Sequence, residues 1–258
     1  MRGFKTDAQK EKLTTQLLKV NKELASFAYV SSHDLQEPLR KIQTFIVRIT
    51  ENESQNFTEK GKDYFLRMQK AAQRMQQLII DLLAFSRINT GERNFVDTDL
   101  NIILEALKTE LADDLLEKQA TIDTTGLSRA NIIAFQFHQL MHNLLFNALK
   151  FSKPDIPPHI IISSRIIKGS ALHNEKLSPE KNYCHIIVQD NGIGFEPQFS
   201  ERIFEVFQKL HGKDEYAGTG IGLAIVKKIV ENHNGFITAT GELNKGARFD
   251  IYLPNDKF

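Results

Sequence analysis

The sequence has little cysteine, no long hydrophobic run and almost no net charge, and each shortage excludes a class of protein. The single cysteine, Cys184, rules out an internal disulfide framework and is typical of a reducing compartment. No apolar run approaches the roughly 20 residues that span a bilayer, and the N-terminus lacks the apolar core of a signal peptide. A formal net charge of +1 predicts neither a nucleic-acid partner nor contact with an anionic membrane. We therefore expect a cytoplasmic chain, or a cytoplasmic segment of a longer protein.

The composition is that of a globular protein, with 41% hydrophobic and 25% charged residues among 258. Its pattern changes near Asn89–Gly91. Helical periodicity dominates before this point, and helices alternate with β-branched runs after it. We therefore expect an all-α antiparallel helical hairpin, followed by an α/β two-layer sandwich over residues 95–258. Residues 1–23 carry a thin apolar stripe and predict a coiled-coil linker that enters the hairpin without a break.

The first hairpin helix presents a histidine away from its apolar face. Apolar or small residues recur at alternating gaps of three and four, which predicts a helix in a bundle, at Leu24, Ala28, Ser31, Leu35, Pro38, Ile42, Phe45 and Ile49. In this heptad His33 takes the outermost position, beside Asp34. Pro38 lacks the N–H that would bond to the carbonyl of Asp34, so a bend is expected there. A solvated surface histidine is the simplest interpretation of His33 alone, whereas its neighbours favour a nucleophile and its base.

A second heptad helix is expected to begin after Thr58, a suitable N-cap, and to end near Ser86. Its apolar positions also alternate by three and four: Phe65, Met68, Ala72, Met75, Ile79 and Leu82. Two such helices joined by a short polar loop form an antiparallel hairpin, which cannot bury both sides of its seam. A homodimer that closes a four-helix bundle is the economical solution.

In the second domain the sequence predicts five helical or extended stretches before its long polar loop and four after it. The helices are expected at Asp99–Lys118, Phe135–Phe151 and Ile221–Asn232. Strands are expected at Ala120–Thr124, Ala130–Ile133, His159–Ile167, Tyr183–Gln189, Phe236–Thr240 and Ala247–Leu253.

Three short motifs in this domain suggest nucleotide chemistry, and each is weak alone. Asn143, Asn147 and Lys150 share one helix face, where amides and an ammonium can hold a hydrated Mg²⁺ and phosphate oxygens. Equally, they are ordinary polar residues of a helix surface.

The other two motifs are rich in glycine. Asp190 ends a strand and can accept a hydrogen bond from an adenine amino group, while Gly192 and Gly194 let the backbone approach a planar base. The run 218–223, GTGIGL, leads directly into a helix whose N-terminus favours phosphate. Common tight turns would look the same.

Together and in this order, the motifs resemble the transmitter core of sensor histidine kinases of two-component signalling, closest to kinases with phytochrome-like transmitters. The resemblance covers about residues 24–254. It rests on SHDLQEPLR (the phospho-acceptor box), HNLLFNALKF, DNGIGF, IFEVFQKLH, AGTGIGLAIVKKIVENHNG and KGARFDIYLP. It implies that residues 24–90 form a dimerisation and phospho-acceptor domain. It further implies that residues 95–258 form an ATP-binding domain of the gyrase, chaperone and kinase class.

The resemblance also implies roles for individual residues. His33 would accept the γ-phosphoryl group of ATP, with Asp34 as its base, and an aspartate of a response regulator would receive it next. Asn147 would ligate Mg²⁺. Contacts to ATP are implied for Asn143, Asn147, Lys150, Asp190, Gly192, Gly194, Lys209, Gly218, Thr219, Gly220, Gly222 and Leu223. Residues from about 195 to 219 would form a mobile lid over the nucleotide, and a sensor domain is expected upstream.

Two positions depart from the family's pattern. Glu37 stands four residues after His33, where many members carry Thr or Asn to position water, so weak or absent phosphatase activity is expected. The last glycine box is reduced to Gly246–Ala247 and is expected to be mainly structural.

Two other functions remain open. One is an ATPase that drives conformational change, which Asn143 disfavours because its amide cannot deprotonate water. The other is a non-catalytic dimeric scaffold.

Overall fold

The computed structural model describes residues 34–88, 94–172, 177–210 and 218–255. The chain divides into two compact units, Met1–Gly91 and Glu92–Phe258. His33 and the predicted linker of residues 1–23 lie outside the described residues. So do residues 24–32 of the predicted first helix. The bend expected at Pro38, within the described helix, stays a prediction.

The first unit is a helical hairpin. Its described part consists of α1 (34–53), a 3-10 turn at Ser54–Asn56 and α2 (Glu59–Arg87). Thr58 caps α2, because its side-chain oxygen accepts a hydrogen bond from the N–H of Gly61 at 3.1 Å. The predicted N-cap is therefore confirmed. Helix α1 continues to Glu53, inside the polar stretch that the sequence predicts as a loop.

The packing face of α1 is offset from the predicted seam, whereas α2 packs through three of its predicted apolar positions. Leu39 and Ile46 of α1 are buried against Ala72, with Phe65 and Ile79 partly buried beside them. The side-chain amide of Gln43 donates to that of Gln76 at 2.9 Å, in keeping with an antiparallel pair. Within one chain, a second apolar row remains exposed, made of Leu35, Ile42, Phe45, Met68, Met75 and Leu82.

The second unit contains a five-stranded sheet in the order β2-β4-β5-β7-β6 and a two-stranded sheet of β1 and β3. Its strands are β1 (Val96–Asp99), β2 (Thr121–Thr125), β3 (Arg129–Ile132), β4 (His159–Lys168), β5 (Asn182–Asp190), β6 (Phe236–Glu242) and β7 (Gly246–Pro254). Its helices are α3 (Leu100–Glu110), α4 (Ala112–Glu117), α5 (Ala134–Lys150) and α6 (Gly222–Asn232). Strands β2 and β4 are parallel, and the other pairs are antiparallel.

Helices cover one face of the large sheet. Ile160 and Ile162 of β4 are fully buried while Ile161 between them is exposed, as the two-residue period of a strand requires. The buried side chains meet those of α3 and α5, and Ile162 and Ile186 line a small gap with Ile103, Phe137 and Met141. This arrangement confirms the predicted fold class, a helical hairpin followed by a two-layer α/β sandwich.

One predicted helix is wrong in its extent. The stretch Asp99–Lys118 is divided at Leu111, where the backbone angles (φ −95°, ψ 13°) leave the helical region. Asp99 is not helical, because it ends β1 and caps α3, its Oδ1 accepting from the N–H of Asn101 at 2.9 Å. Strand β1, which is polar, was not predicted. None of the described helices combines the length and apolar character needed to cross a membrane.

Candidate functional site

Helices α5 and α6 pack antiparallel and position the polar residues of α5. At one end, the N–H of Ile133, just before α5, donates to His233 Nε2 at 2.9 Å. His233 Nδ1 therefore carries the proton and donates to the carbonyl of Ile229 at 2.8 Å. Next to it, Asn232 Nδ2 donates to Gln136 Oε1 at 2.8 Å, and all of these side chains are buried. The opposite end of the helix pair carries the predicted site.

At that end, Asn143 faces the first turn of α6. A Cβ built on Gly222 would lie 3.6 Å from Asn143 Oδ1, so the two helices are in close contact there. Asn143 Nδ2 is buried and has no hydrogen-bond partner among the described residues. A buried amide N–H without an acceptor is costly, and it is a group that a phosphate or water oxygen could satisfy. Asn147 is half-buried one turn further along α5.

Lys150, in the last turn of α5, has an unusual environment for an ammonium group. Its Nζ lies against Gly218, so closely that a side chain at that position would collide with it, and 4.4 Å from the centroid of the Phe151 ring. Burial and, to a smaller extent, the positive charge of Lys209 together lower the pKa of Lys150 to about 8. An anion between Lys150 and Lys209 would favour the protonated form of Lys150, because it would offset both the burial of the ammonium group and the repulsion between the two lysines.

The glycine-rich segment 218–222 runs past Lys150 into α6. Gly220 has φ +78°, and its carbonyl accepts the N–H of Phe207 at 2.9 Å, so this segment is held against residues 207–208. Thr219 is buried, and its Oγ1 accepts from the N–H of Ile221 at 3.3 Å. Among the described residues, no side chain caps the N-terminus of α6, so its first amides, at Gly222 and Leu223, are suitable donors to an anion.

Asp190, the last residue of β5, is held by backbone donors. Its Oδ1 accepts from the N–H of Gly192 at 2.9 Å and from the N–H of Ala247 at 3.2 Å, and neither bond uses Oδ2. Burial raises the pKa of Asp190, while these hydrogen bonds and the charge of Lys153 act in the opposite direction. A carboxylate fixed in this way can accept one more hydrogen bond from a ligand in a defined direction.

The backbone around Asp190 leaves no room for side chains. A Cβ at Gly192 would lie 2.5 Å from the carbonyl oxygen of Phe151. Gly194, at φ +65°, passes directly against the carbonyl of Glu242. Because Phe151 follows Lys150, these contacts bring the Asp190 turn next to the end of α5. The two groups of predicted residues therefore lie on one connected surface.

Not every predicted site residue can be placed there. His33 lies outside the described residues, and Asp34 is an exposed residue at the described start of α1. Glu37 is exposed and forms an ion pair with Lys41 at 3.0 Å. The segment 211–217 of the predicted lid also lies outside the described residues.

The amide of Ala247 makes a contact with Asp190 that the sequence did not indicate. The reduced glycine box at Gly246–Ala247 was expected to be mainly structural, and in the structure Ala247 donates directly to Asp190. Gly246, at φ +116°, passes so close to the carbonyl of Asp190 that no side chain fits. The contact joins residues that are far apart in sequence. The only local feature that pointed to it was the glycine at position 246, at the start of a strand.

Two protein families match separate parts of the chain. The family described as "His Kinase A (phospho-acceptor) domain" matches residues 23–91. The family described as "Histidine kinase-, DNA gyrase B-, and HSP90-like ATPase" matches residues 133–257. The first match includes His33, and the second includes Asn143, Asp190 and the glycine-rich segment.

Individual relatives match almost the whole chain. Cyanobacterial phytochrome A of Nostoc is 36% identical over 94% of this chain, and phytochrome-like protein Cph1 of Synechocystis is 33% identical over 94% of it. The chain spans about 30% of the length of each. Among solved structures, full-length ShkA in complex with AMPPNP aligns with a TM-score of 0.63 at 21% identity, covering 90% of this chain and 46% of ShkA. That last similarity shows the fold alone.

Proposed function

Because the chain belongs to the sensor histidine kinases, as a transmitter core of the phytochrome-like subgroup, we propose that it phosphorylates His33 with ATP and passes the phosphoryl group to an aspartate of a response regulator. The observation that carries this proposal is the surface on which α5, the Asp190 turn and the glycine-rich segment meet. It offers a fixed carboxylate at one end and two lysines with helix amides at the other, which matches the base and the phosphates of ATP.

In this proposal, the nucleotide is bound by groups with separate tasks. Asp190 Oδ2 accepts the adenine amino group, and Gly192 and Gly194 leave space for the base. Lys150 and Lys209 attract the phosphates, together with the amides of segment 218–223. The buried Nδ2 of Asn143 finds its acceptor in a phosphate oxygen or a water molecule.

We also propose that ATP is bound with Mg²⁺. No group of three or more His, Cys, Asp or Glu side chains in the described residues is arranged to hold a metal ion. The amide oxygen of Asn147 fits instead a Mg²⁺ that keeps water and phosphate oxygens as its other ligands. Such an ion would neutralise phosphate charge.

The nucleophile must come from outside this surface. Asn143 carries an amide where an ATPase needs a base to deprotonate water, so hydrolysis is disfavoured. In the proposed reaction His33 attacks the γ-phosphorus, a P–N bond forms, the bond to the bridging oxygen breaks, and ADP leaves. Asp34 takes the imidazole proton. Positioning of His33 in line with the γ-phosphate supplies most of the catalysis, as in other phosphoryl transfers.

The hairpin further supports a homodimer. The exposed apolar row, with Ile42 and Phe45 on α1 and Met68 and Met75 on α2, is not buried within one chain. Two copies of this row facing each other would close a four-helix bundle. An upstream sensor and a cytoplasmic location remain predictions of the sequence.

Labelling with γ-³²P-ATP and Mg²⁺ tests the proposal, using the wild type beside His33→Gln and Asp190→Asn. We expect acid-labile, alkali-stable label on the wild type alone, and its transfer to a response-regulator receiver domain. Phosphate released into solution equally by the wild type and His33→Gln would indicate an ATPase. Absence of both label and nucleotide binding would favour the scaffold.

A further inference from the structure

Three polar residues form a chain of hydrogen bonds on the face of the large sheet that the helices do not cover. Arg248 of β7 donates to Asp250 twice, from Nε to Oδ2 at 2.8 Å and from Nη2 to Oδ1 at 2.7 Å. His185 of β5 donates from Nε2 to Asp250 Oδ1 at 2.8 Å. The chain of hydrogen bonds therefore connects the central strand β5 to its neighbour β7. Arg248 and Asp250 lie in the closing motif KGARFDIYLP, for which the sequence indicated no role in binding or catalysis, and the proposed reaction does not use this chain.

This chain of hydrogen bonds is more buried than a surface ion pair. His185 and Asp250 are buried, and the His185 ring stacks on Tyr252 with centroids 4.4 Å apart. Burial alone would raise the pKa of Asp250, but hydrogen bonds from Arg248 and His185 outweigh it and lower the pKa to about 2. Asp250 is thus an anion at any ordinary pH. A buried charge holds its partners firmly, because separating them leaves it unpaired.

The chain ends one residue from a backbone amide that holds Asp190. Arg248 lies opposite Gln189 in the β5–β7 register, and Asp250 lies opposite Ile187. Directly beside these pairs, the N–H of Ala247 donates to Asp190 Oδ1. A shift of β7 against β5 would therefore change this hydrogen bond first. The bond from Gly192 comes from the same turn as Asp190 and would be unaffected.

We propose that His185, Asp250 and Arg248 are positioning residues for adenine recognition: they fix β7 against β5, so that the amide of Ala247 orients the Asp190 carboxylate toward the adenine amino group. The inference rests on the proposed function, since it requires ATP at this surface. It assigns the cluster to base selectivity. It does not assign it to phosphate binding or catalysis.

Two nucleotides and a matched pair of variants test this. Purine riboside triphosphate lacks the amino group of ATP and therefore does not use Asp190. Asp250→Asn removes the buried charge, and Asp97→Asn removes a second described Arg–Asp pair of the same domain, in which Arg129 Nε donates to Asp97 at 3.2 Å on the small sheet. Affinities of the full chain for both nucleotides are measured by calorimetry.

We expect the wild type to prefer ATP over the analogue. In Asp250→Asn the affinity for ATP should fall about 3- to 10-fold, the value of roughly one hydrogen bond, while the affinity for the analogue stays within about 2-fold. Asp97→Asn should change neither. His185→Gln, which retains a donor for Asp250, should keep more of the preference than His185→Leu.

Other results of these titrations would contradict either the inference or the proposed function. If Asp250→Asn weakens both nucleotides equally, or keeps the full preference, the cluster only stabilises the sheet and the inference is wrong. If Asp250→Asn does not fold, Arg248→Gln, at a half-exposed position, is measured against the same criteria. A wild type that binds both nucleotides equally would instead refute the role of Asp190 in the proposed function.

Discussion

Binding of ATP should take up protons, because Lys150 is partly deprotonated in the free protein. Burial and the charge of Lys209 lower its pKa from 10.5 to about 8. A bound polyphosphate places negative charge beside the ammonium group, which favours the protonated form and raises the pKa again. Between these two pKa values the complex holds a proton that the free protein lacks. ATP affinity must then decrease as the pH rises.

The size of the effect follows from a free-protein pKa of about 8. Proton uptake on binding should be about 0.1 at pH 7, about 0.5 at pH 8 and about 0.9 at pH 9. Because only the protonated form binds well, the affinity for ATP should fall about 10-fold between pH 7 and pH 9.

Calorimetry in two buffers of different ionisation enthalpy measures this uptake directly. Titrations without divalent ions keep the proton count separate from metal binding to the phosphates. Lys150→Met should abolish the uptake at pH 8, and Lys209→Met should move its midpoint to higher pH, because it removes a repelling charge. Equal proton uptake by the wild type and Lys150→Met would show that our account of this lysine is wrong.

Three further predictions concern stability and assembly. Leu39→Ala should destabilise the hairpin by about 2–4 kcal/mol in chemical denaturation. Leu35→Ala, on the exposed row, should instead weaken the dimer in sedimentation. Equal effects of the two variants in both assays would contradict the assignment of Leu39 to the contact within one chain and of Leu35 to the dimer contact. Gly192→Ala places a methyl group 2.5 Å from a carbonyl oxygen and should cost about 1–3 kcal/mol of unfolding free energy, together with ATP affinity; an unchanged melting curve would contradict this geometry. His233→Leu leaves the N–H of Ile133, just before α5, buried and unpaired and should cost about 1–3 kcal/mol of unfolding free energy, and faster hydrogen exchange at that amide would identify the cause.

The sequence predicted best those elements that one short-range pattern determines. Helix α5 has a helical apolar period over its whole length, and it was found within one residue at each end. Thr58 was identified as a cap because the acceptor and its donor are three residues apart. The break at Leu111 was missed because the apolar period continues across it. Strand β1 was missed because its residues are polar and it is stabilised by pairing with β3.

The same distinction applies to the candidate site. Two parts of the site could be predicted from short stretches of sequence: the helix face with Asn143 and Lys150, and the turn with Asp190. Each of these motifs spans ten residues or fewer. The amide of Ala247 reaches Asp190 from 57 residues away, and His233 reaches Ile133 from 100 residues away. A single sequence contains no pattern that joins such residues. Their pairing follows only from strand register and helix packing.

The structure of the α5–α6 pair shows why its site can be both stable and open to ligand. At the His233 end, the buried donors and acceptors we describe bond to one another across the two helices, so that end is fixed without a nucleotide. At the Gly222 end, the described residues offer no acceptor to the buried amide of Asn143 and no side-chain cap to the first turn of α6, and Lys150 is partly buried. These unsatisfied groups destabilise the free protein locally, and a polyphosphate could satisfy all three kinds together. The packing at the His233 end thus holds the polar groups of the Gly222 end in place. In isolated helices these groups would turn toward water.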